Sequence, residues 1–167
     1  YVRSQFFRET NYEPELFLSS NIMKNYLIRL GYDHQSNGRG GELERSWNRL
    51  FVDINVSRAH WFFSLRPWLL IFKSQSSSLH NPDIAKFLGH EQWIVSYQFN
   101  NKLELSLWLR NVEQIAHYAS VEASVAYPIT HHVQLYGQLF YGYGQSLIEY
   151  NHKSTALGIG ISLSNWL

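Results

Sequence analysis

Apolar residues recur at every second position along most of this chain, in runs longer than the strands of most water-soluble domains. Leu157, Ile159, Ile161 and Leu163 interleave with Gly158, Gly160, Ser162 and Ser164. Leu103, Leu105, Leu107 and Leu109 alternate with Glu104, Ser106, Trp108 and Arg110, and Val121, Ala123, Val125 and Tyr127 with Ser120, Glu122, Ser124 and Ala126. Val133, Leu135 and Leu139 stand against Gln134, Tyr136 and Gln138 in the same way. Successive side chains of a strand point to opposite faces, so each run has one apolar and one polar side. The rule places about nine strands, over residues 10–19, 22–36, 47–57, 60–72, 86–99, 102–113, 116–128, 133–148 and 154–167. Strands in soluble proteins centre on roughly five or six residues, whereas a tilted strand crossing a bilayer needs ~9–11. The expected fold is therefore all-β, an antiparallel transmembrane β-barrel.

Composition is consistent with that reading once the two faces are separated. Mean hydropathy is −0.28, a value that suggests a soluble domain but here averages a lipid face with a polar interior. The longest uninterrupted apolar stretch, Trp68 to Phe72, is far below the ~20 residues of a membrane-spanning helix. An aromatic fraction of 16% excludes disorder, and Trp61, Trp93, Tyr127, Tyr141, Tyr143 and Trp166 fall near strand ends, where interfacial girdles lie. With no cysteine, neither a disulfide nor a thiolate metal site is possible. Fourteen Lys and Arg against 13 Asp and Glu give no footing for a nucleic-acid partner.

The interior-facing positions include Arg29, Asp53, Arg66, Glu104, Arg110 and Glu122. A network of Arg66, Glu104, Arg110 and Glu122, packed among Phe51, Phe62, Trp68 and Trp108, is expected to fill the interior, which argues against an open pore. Asn100-Asn101 and Pro128 to His132 read as short turns, and 37–46 and 73–85 as longer loops. His131-His132 reads as polar turn residues, since metal binding there would need ligands from elsewhere. Bacterial single-chain barrels have even strand numbers, and an open edge in lipid leaves backbone groups unpaired. Strands are thus expected to be missing on the N-terminal side. The opening Tyr1-Val2-Arg3, without Met or an apolar leader core, reads as a cut.

In the second run, Tyr26, Ile28, Leu30 and Tyr32 define the apolar face, and His34 and Ser36 continue its parity. Asn48 is in phase with Leu50, Val52, Ile54 and Val56 in the third. All three polar residues then face lipid. Ser and His two apart in a strand lie roughly 6.7 Å apart at Cα, near enough for Nε2 to reach Oγ. Antiparallel pairing across the 37–46 loop would set Asn48 opposite His34, as an acceptor for its other ring nitrogen. A neutral amide avoids the desolvation cost of an Asp beside lipid. On spacing alone, His-x-Ser reads sooner as polar residues where a strand leaves the membrane; the outward parity of all three is what points to function. Three readings stay open: a hydrolase, a non-catalytic structural or passive-transport barrel, and a soluble β-sandwich that binds a small ligand.

Gly31-Tyr32-Asp33-His34-Gln35-Ser36-Asn37-Gly38-Arg39, followed by Arg45-Ser46-Trp47-Asn48-Arg49-Leu50, resembles the active-site region of the outer membrane phospholipase A family of bacteria. The likeness extends through Phe7-Arg8-Glu9-Thr10-Asn11-Tyr12-Glu13-Pro14, Asn81-Pro82-Asp83-Ile84, Tyr127-Pro128-Ile129-Thr130 and Gly142-Tyr143-Gly144-Gln145-Ser146-Leu147-Ile148. It implies a twelve-stranded outer-membrane barrel, of which residues 1–167 form one domain carrying the last nine strands, with the first three absent. Such a piece alone is not expected to close or to be active.

The resemblance further implies a calcium-dependent hydrolase of phospholipid acyl esters. Ser36 would be the nucleophile, His34 the general base and acid, and Asn48 the residue that holds the imidazole. Gly38 would give its backbone N–H to an oxyanion hole, and Arg39 its carbonyl to Ca2+. Glu44 stands where the family has a calcium-binding Ser, and a carboxylate there is expected to keep or tighten binding. Asp83 could approach a second calcium ion. The family is active as a homodimer, and Leu163 resembles part of that dimer surface. Leu167 departs from the family's more usual terminal aromatic.

Overall fold

A computed structural model describes residues 9–71, 80–99 and 102–163. Nine strands form one sheet in which every strand lies beside its sequence neighbours: β1 (Glu15–Met23), β2 (Tyr26–Ser36), β3 (Ser46–Arg58), β4 (Trp61–Ile71), β5 (Glu91–Phe99), β6 (Leu103–Arg110), β7 (Ser120–Pro128), β8 (Val133–Tyr143) and β9 (Lys153–Leu163). All neighbouring pairs are antiparallel, as expected for the wall of an up-and-down barrel. Among the described residues, β1 pairs only with β2 and β9 only with β8.

The alternation carries through the registers. Val95 lies opposite Leu107, Leu107 opposite Ala123, Ala123 opposite Leu139, and Leu139 opposite Leu157. This face is apolar and exposed, up to 81% at Ile159. Connections at the two rims differ in length. Residues 24–25, 59–60 and 129–132 turn tightly at one rim, while 37–45, 111–119 and 144–152 form longer loops at the other. Bacterial outer-membrane barrels have this asymmetry between periplasmic turns and extracellular loops.

Several boundaries depart from the alternation. The first turn lies at Lys24-Asn25, with Asn25 in the left-handed region (φ 72), a conformation that Asn tolerates better than most residues. Residues 10–14 lie outside β1, and their strand pairing is the isolated Tyr12–Ser36 bridge. Residues 86–90 were expected in a strand, but Ile84–Leu88 is a short helix, α1, that buries Ile84 and Leu88 one turn apart and stops at Gly89 (φ 67). Asn111 (φ 57) ends β6 before a 3-10 turn over Val112–Gln114. Gly144 (φ 70) ends β8 before residues 144–152 turn. Asn100-Asn101, residues 73–79, Trp166 and Leu167 lie outside the described residues.

The inner face is concave. Arg66 on β4 reaches Glu15 on β1 at 2.5 Å, and the Glu9 carboxylate accepts from the Leu147 and Ile148 amides at 2.9 and 2.7 Å. The core sits under the long-loop rim, where Trp47, Phe51 and Trp68 from the wall pack against Ile84, Leu88, Leu147 and Tyr150 from the loops. The expected interior network needs correcting. Arg66 joins Asp53 (3.3 Å) and Glu15, and Arg29 joins Asp53 at 2.9 Å. Glu104 instead accepts from Ser106. Arg110 donates to the Tyr143 and Gly144 carbonyls. The alternation identified which residues point inward, but their pairing depends on curvature, which brings β1 across to β4.

Candidate active site

β2 and β3 pair with His34 opposite Asn48 and Ser36 opposite Ser46. This is the expected register. His34, Ser36 and Asn48 share the outward face at the long-loop rim, flanked by the exposed Leu30 and Leu50. The His34 Nδ1–Asn48 Oδ1 distance is 2.9 Å. An amide oxygen only accepts, so Nδ1 carries the proton and Nε2 keeps its lone pair. Among the described residues the Ser36 hydroxyl makes no hydrogen bond to the His34 ring. Such contacts often tighten only when substrate binds. Tyr32, on the apolar parity of β2, donates its hydroxyl to the same Asn48 Oδ1 at 2.6 Å.

The backbone of Ser36 is held on both sides. Its amide donates to Tyr12 O at 2.9 Å, and its carbonyl accepts from Tyr12 N at 2.8 Å. Its β3 partner Ser46 is clamped in turn by the buried Asn81, whose Oδ1 accepts from Ser46 N (3.2 Å) and whose Nδ2 donates to Ser46 O (2.9 Å). The interior layer beneath His34, Ser36 and Asn48 is equally tied. Arg49 joins the buried Asp33, its cross-strand partner, and reaches Glu13 at 2.6 Å. Trp47 Nε1 donates to Gln35 Oε1 at 2.6 Å.

Loop 37–45 is organised by Asn37, which is 1% exposed. Its Oδ1 accepts from Arg39 N (3.3 Å) and Arg45 N (3.0 Å), and its Nδ2 donates to Leu43 O (2.8 Å). A single oxygen thus ties the two arms of the loop and brings Arg39 beside the Glu44–Arg45 peptide. Glu44 is half-buried. Gly38 adopts φ 61, and among the described residues no acceptor takes its N–H. A Cβ on Gly38 would sit 2.9 Å from the Tyr12 ring. Gly38→Ala is therefore expected to cost about 1–2 kcal/mol in backbone strain alone. Native-state proteolysis should cut the loop faster in this variant; an unchanged rate would mean that the left-handed conformation at position 38 carries no such cost.

Asp83 precedes α1 and accepts from the Tyr150 hydroxyl. Burial, reinforced by that bond, pushes the Tyr150 phenol above its ordinary range. The Arg45 guanidinium lies 5.9 Å from the centre of the same ring, so Asp83 is linked to loop 37–45 through Tyr150. Among the described residues no cluster of three or more His, Cys, Asp or Glu could by itself hold a metal. His131 and His132 lie at the opposite, short-turn rim.

The described wall is thus an up-and-down antiparallel sheet with a hydrogen-bonded His and Asn, and a Ser, on its outward apolar face. Residues 1–163 match the family model of phospholipase A1, and the chain belongs to that family. Phospholipase A1 of Klebsiella pneumoniae is 38% identical over 165 residues, covering 95% of this chain and 56% of that protein. The Salmonella typhi outer membrane phospholipase dimer with bound calcium superposes with a TM-score of 0.85 at 37% identity, over 95% of this chain and 62% of that one. An Escherichia coli outer membrane phospholipase A, solved as an active-site mutant with an asparagine changed to alanine, gives 0.84 at 36%, again over 95% and 62%. The chain spans a little over half the length of the relatives it matches.

Proposed function

We propose that this chain is the catalytic wall of a bacterial outer-membrane phospholipase, which hydrolyses acyl esters of phospholipids and lysophospholipids through Ser36, His34 and Asn48. The observation that carries this reading is the 2.9 Å His34–Asn48 contact on the lipid-facing side, with Ser36 on the same face. Ser36 Oγ attacks the ester carbonyl while His34 Nε2 takes its proton. The proton passes to the departing alcohol, and the resulting acyl-enzyme is hydrolysed by water activated at the same nitrogen. Asn48 keeps Nδ1 protonated throughout. The unclaimed Gly38 N–H is suited to receive the carbonyl oxygen as it becomes negative.

The residues present fit a calcium ion in part. Asn37 brings the Arg39 arm beside Glu44, offering a carbonyl and a carboxylate, both hard oxygen donors. With so few protein ligands, the remaining positions would fall to water and to a second copy of the chain, in keeping with the dimeric, calcium-bound relative. Calcium held there would place positive charge beside the developing oxyanion. Asp83, with one carboxylate oxygen taken by Tyr150, could offer its other to a second ion. Leu163, 57% exposed on the outward face, would belong to the dimer surface. Among the described residues β1 and β9 each pair on one side only, and unpaired amides in hydrocarbon are costly, so the nine strands are read as part of a larger barrel whose remaining strands close the gap.

Acyl release from phospholipid in mixed micelles by the complete barrel tests the reading. Release is expected with calcium and to be lost with a chelator. No release under either condition rejects the hydrolase, and release unaffected by chelation rejects the metal. Calcium titration calorimetry should show at least about tenfold weaker binding for Glu44→Ala, the scale of a lost charged ligand. Unchanged affinity removes Glu44 from the ligand set.

A further inference from the structure

We infer that Tyr32 is a positioning residue that selects the reactive tautomer of His34 by fixing which end of the Asn48 amide faces the ring. The inference rests on the hydrolase reading for its consequence but not for its geometry. An Asn side chain can present either its oxygen or its NH2 in nearly the same volume. With Oδ1 toward His34, Nδ1 must be protonated and Nε2 is the free base. With Nδ2 toward His34, Nδ1 must be bare, the proton moves to Nε2, and the ring cannot take a proton from Ser36. Nothing within Asn48 and His34 themselves chooses between these states.

Tyr32 supplies the choice. Its hydroxyl lies 2.6 Å from Asn48 Oδ1, and the same oxygen lies 2.9 Å from His34 Nδ1. The phenol has one hydrogen to place. Tyr32 sits on the outward face directly across from Leu50 and Leu16, beside the exposed Leu30. The flanking side chains there are apolar and offer no acceptor, and among the described residues Asn48 is the only hydrogen-bond partner of the Tyr32 side chain. Turning the amide over would force the phenol to accept from Nδ2 and leave its own proton unbonded in an apolar setting, which is costly. Oδ1 therefore stays between the two donors. The strand spacing makes this possible, since Tyr32, His34 and Ser36 occupy successive outward positions of β2 and Asn48 of β3 can reach both rings.

The test uses the complete barrel in detergent micelles with 15N-labelled histidine. In the parent, the His34 ring should show the Nδ1–H form. Tyr32→Phe, which keeps the ring and its packing, should introduce an Nε2–H population and lower kcat about tenfold with KM unchanged, the scale of one lost hydrogen bond to the catalytic dyad. In an Asn48→Asp background, where both side-chain atoms are acceptors and there is no orientation to choose, Tyr32→Phe should change kcat less than twofold. An unchanged 15N pattern in Tyr32→Phe overturns the inference, as does an equal kcat loss in both backgrounds. Because the tautomer is read without turnover, failure of the parent barrel to release fatty acid from phospholipid would overturn the hydrolase reading separately.

Discussion

Ser36→Ala is expected to lower acyl-ester hydrolysis by at least about three orders of magnitude, the loss typical when a serine hydrolase keeps its binding surface but not its nucleophile. The substitution is clean here. Both backbone groups of Ser36 are engaged with Tyr12, and the strand is paired to Ser46, so removing one oxygen disturbs neither partner. Among the described residues that oxygen accepts and donates no protein hydrogen bond, so no buried group is left unsatisfied. The thermal unfolding midpoint of the variant should match the parent within a degree or two. Initial rates of fatty-acid release from mixed micelles at saturating calcium give the measurement. A variant retaining more than a few per cent of parental activity would identify another nucleophile.

The second large effect lies on the opposite face of the same two strands. Arg49→Met is expected to destabilise the barrel by about 3–5 kcal/mol, the usual cost of stranding a buried charge by removing its partner. Asp33 is 1% exposed, and one of its carboxylate oxygens already lacks a hydrogen-bond partner, so it depends on Arg49. The guanidinium also lies 4.1 Å from the Trp47 ring centre and reaches Glu13 at 2.6 Å. Methionine keeps much of the aliphatic stem and deletes those polar contacts. Asp33→Asn combined with Arg49→Met should regain part of the loss, because the stranded charge is gone. Denaturant titration in micelles reads both. A single variant as stable as the parent, or a double variant no better than the single, would show that the pair does not hold β2 to β3.

The parts of the molecule that follow strand periodicity were legible in the sequence. A side-chain repeat of two sets the face of every residue, and a hairpin joining β2 to β3 leaves few registers that keep all the leucines outward. His34 therefore could be set opposite Asn48 from the sequence. The residues that steady them carry no periodic signal. Asn37 works by folding its side chain back across its own loop, Asn81 by reaching 35 residues back to Ser46, and Glu9 by reaching 138 residues on to Leu147. Tyr32 had the right parity but was read only for its apolar ring. The α1 segment was misread because Ile84 and Leu88 bury one helical face in a stretch short enough to mimic a strand end. Glu104 and Arg110 point inward as expected, yet their partners depend on how sharply the sheet curls.

Every strand in this sheet neighbours the one before it in sequence, while the long-range ties, from Glu9 to Leu147, Glu15 to Arg66 and Asn81 to Ser46, gather toward the long-loop rim. Hairpins can add one after another at little cost in chain entropy, but those rim ties must wait until distant segments have come together. The His34–Asn48 pair closes within one hairpin and is expected to form early. The Asn81 clamp on Ser46 and the Glu9 ties to Leu147 and Ile148 join distant segments and are expected to arrive last. A nascent chain would then carry His34, Ser36 and Asn48 in an incomplete setting until those rim ties close.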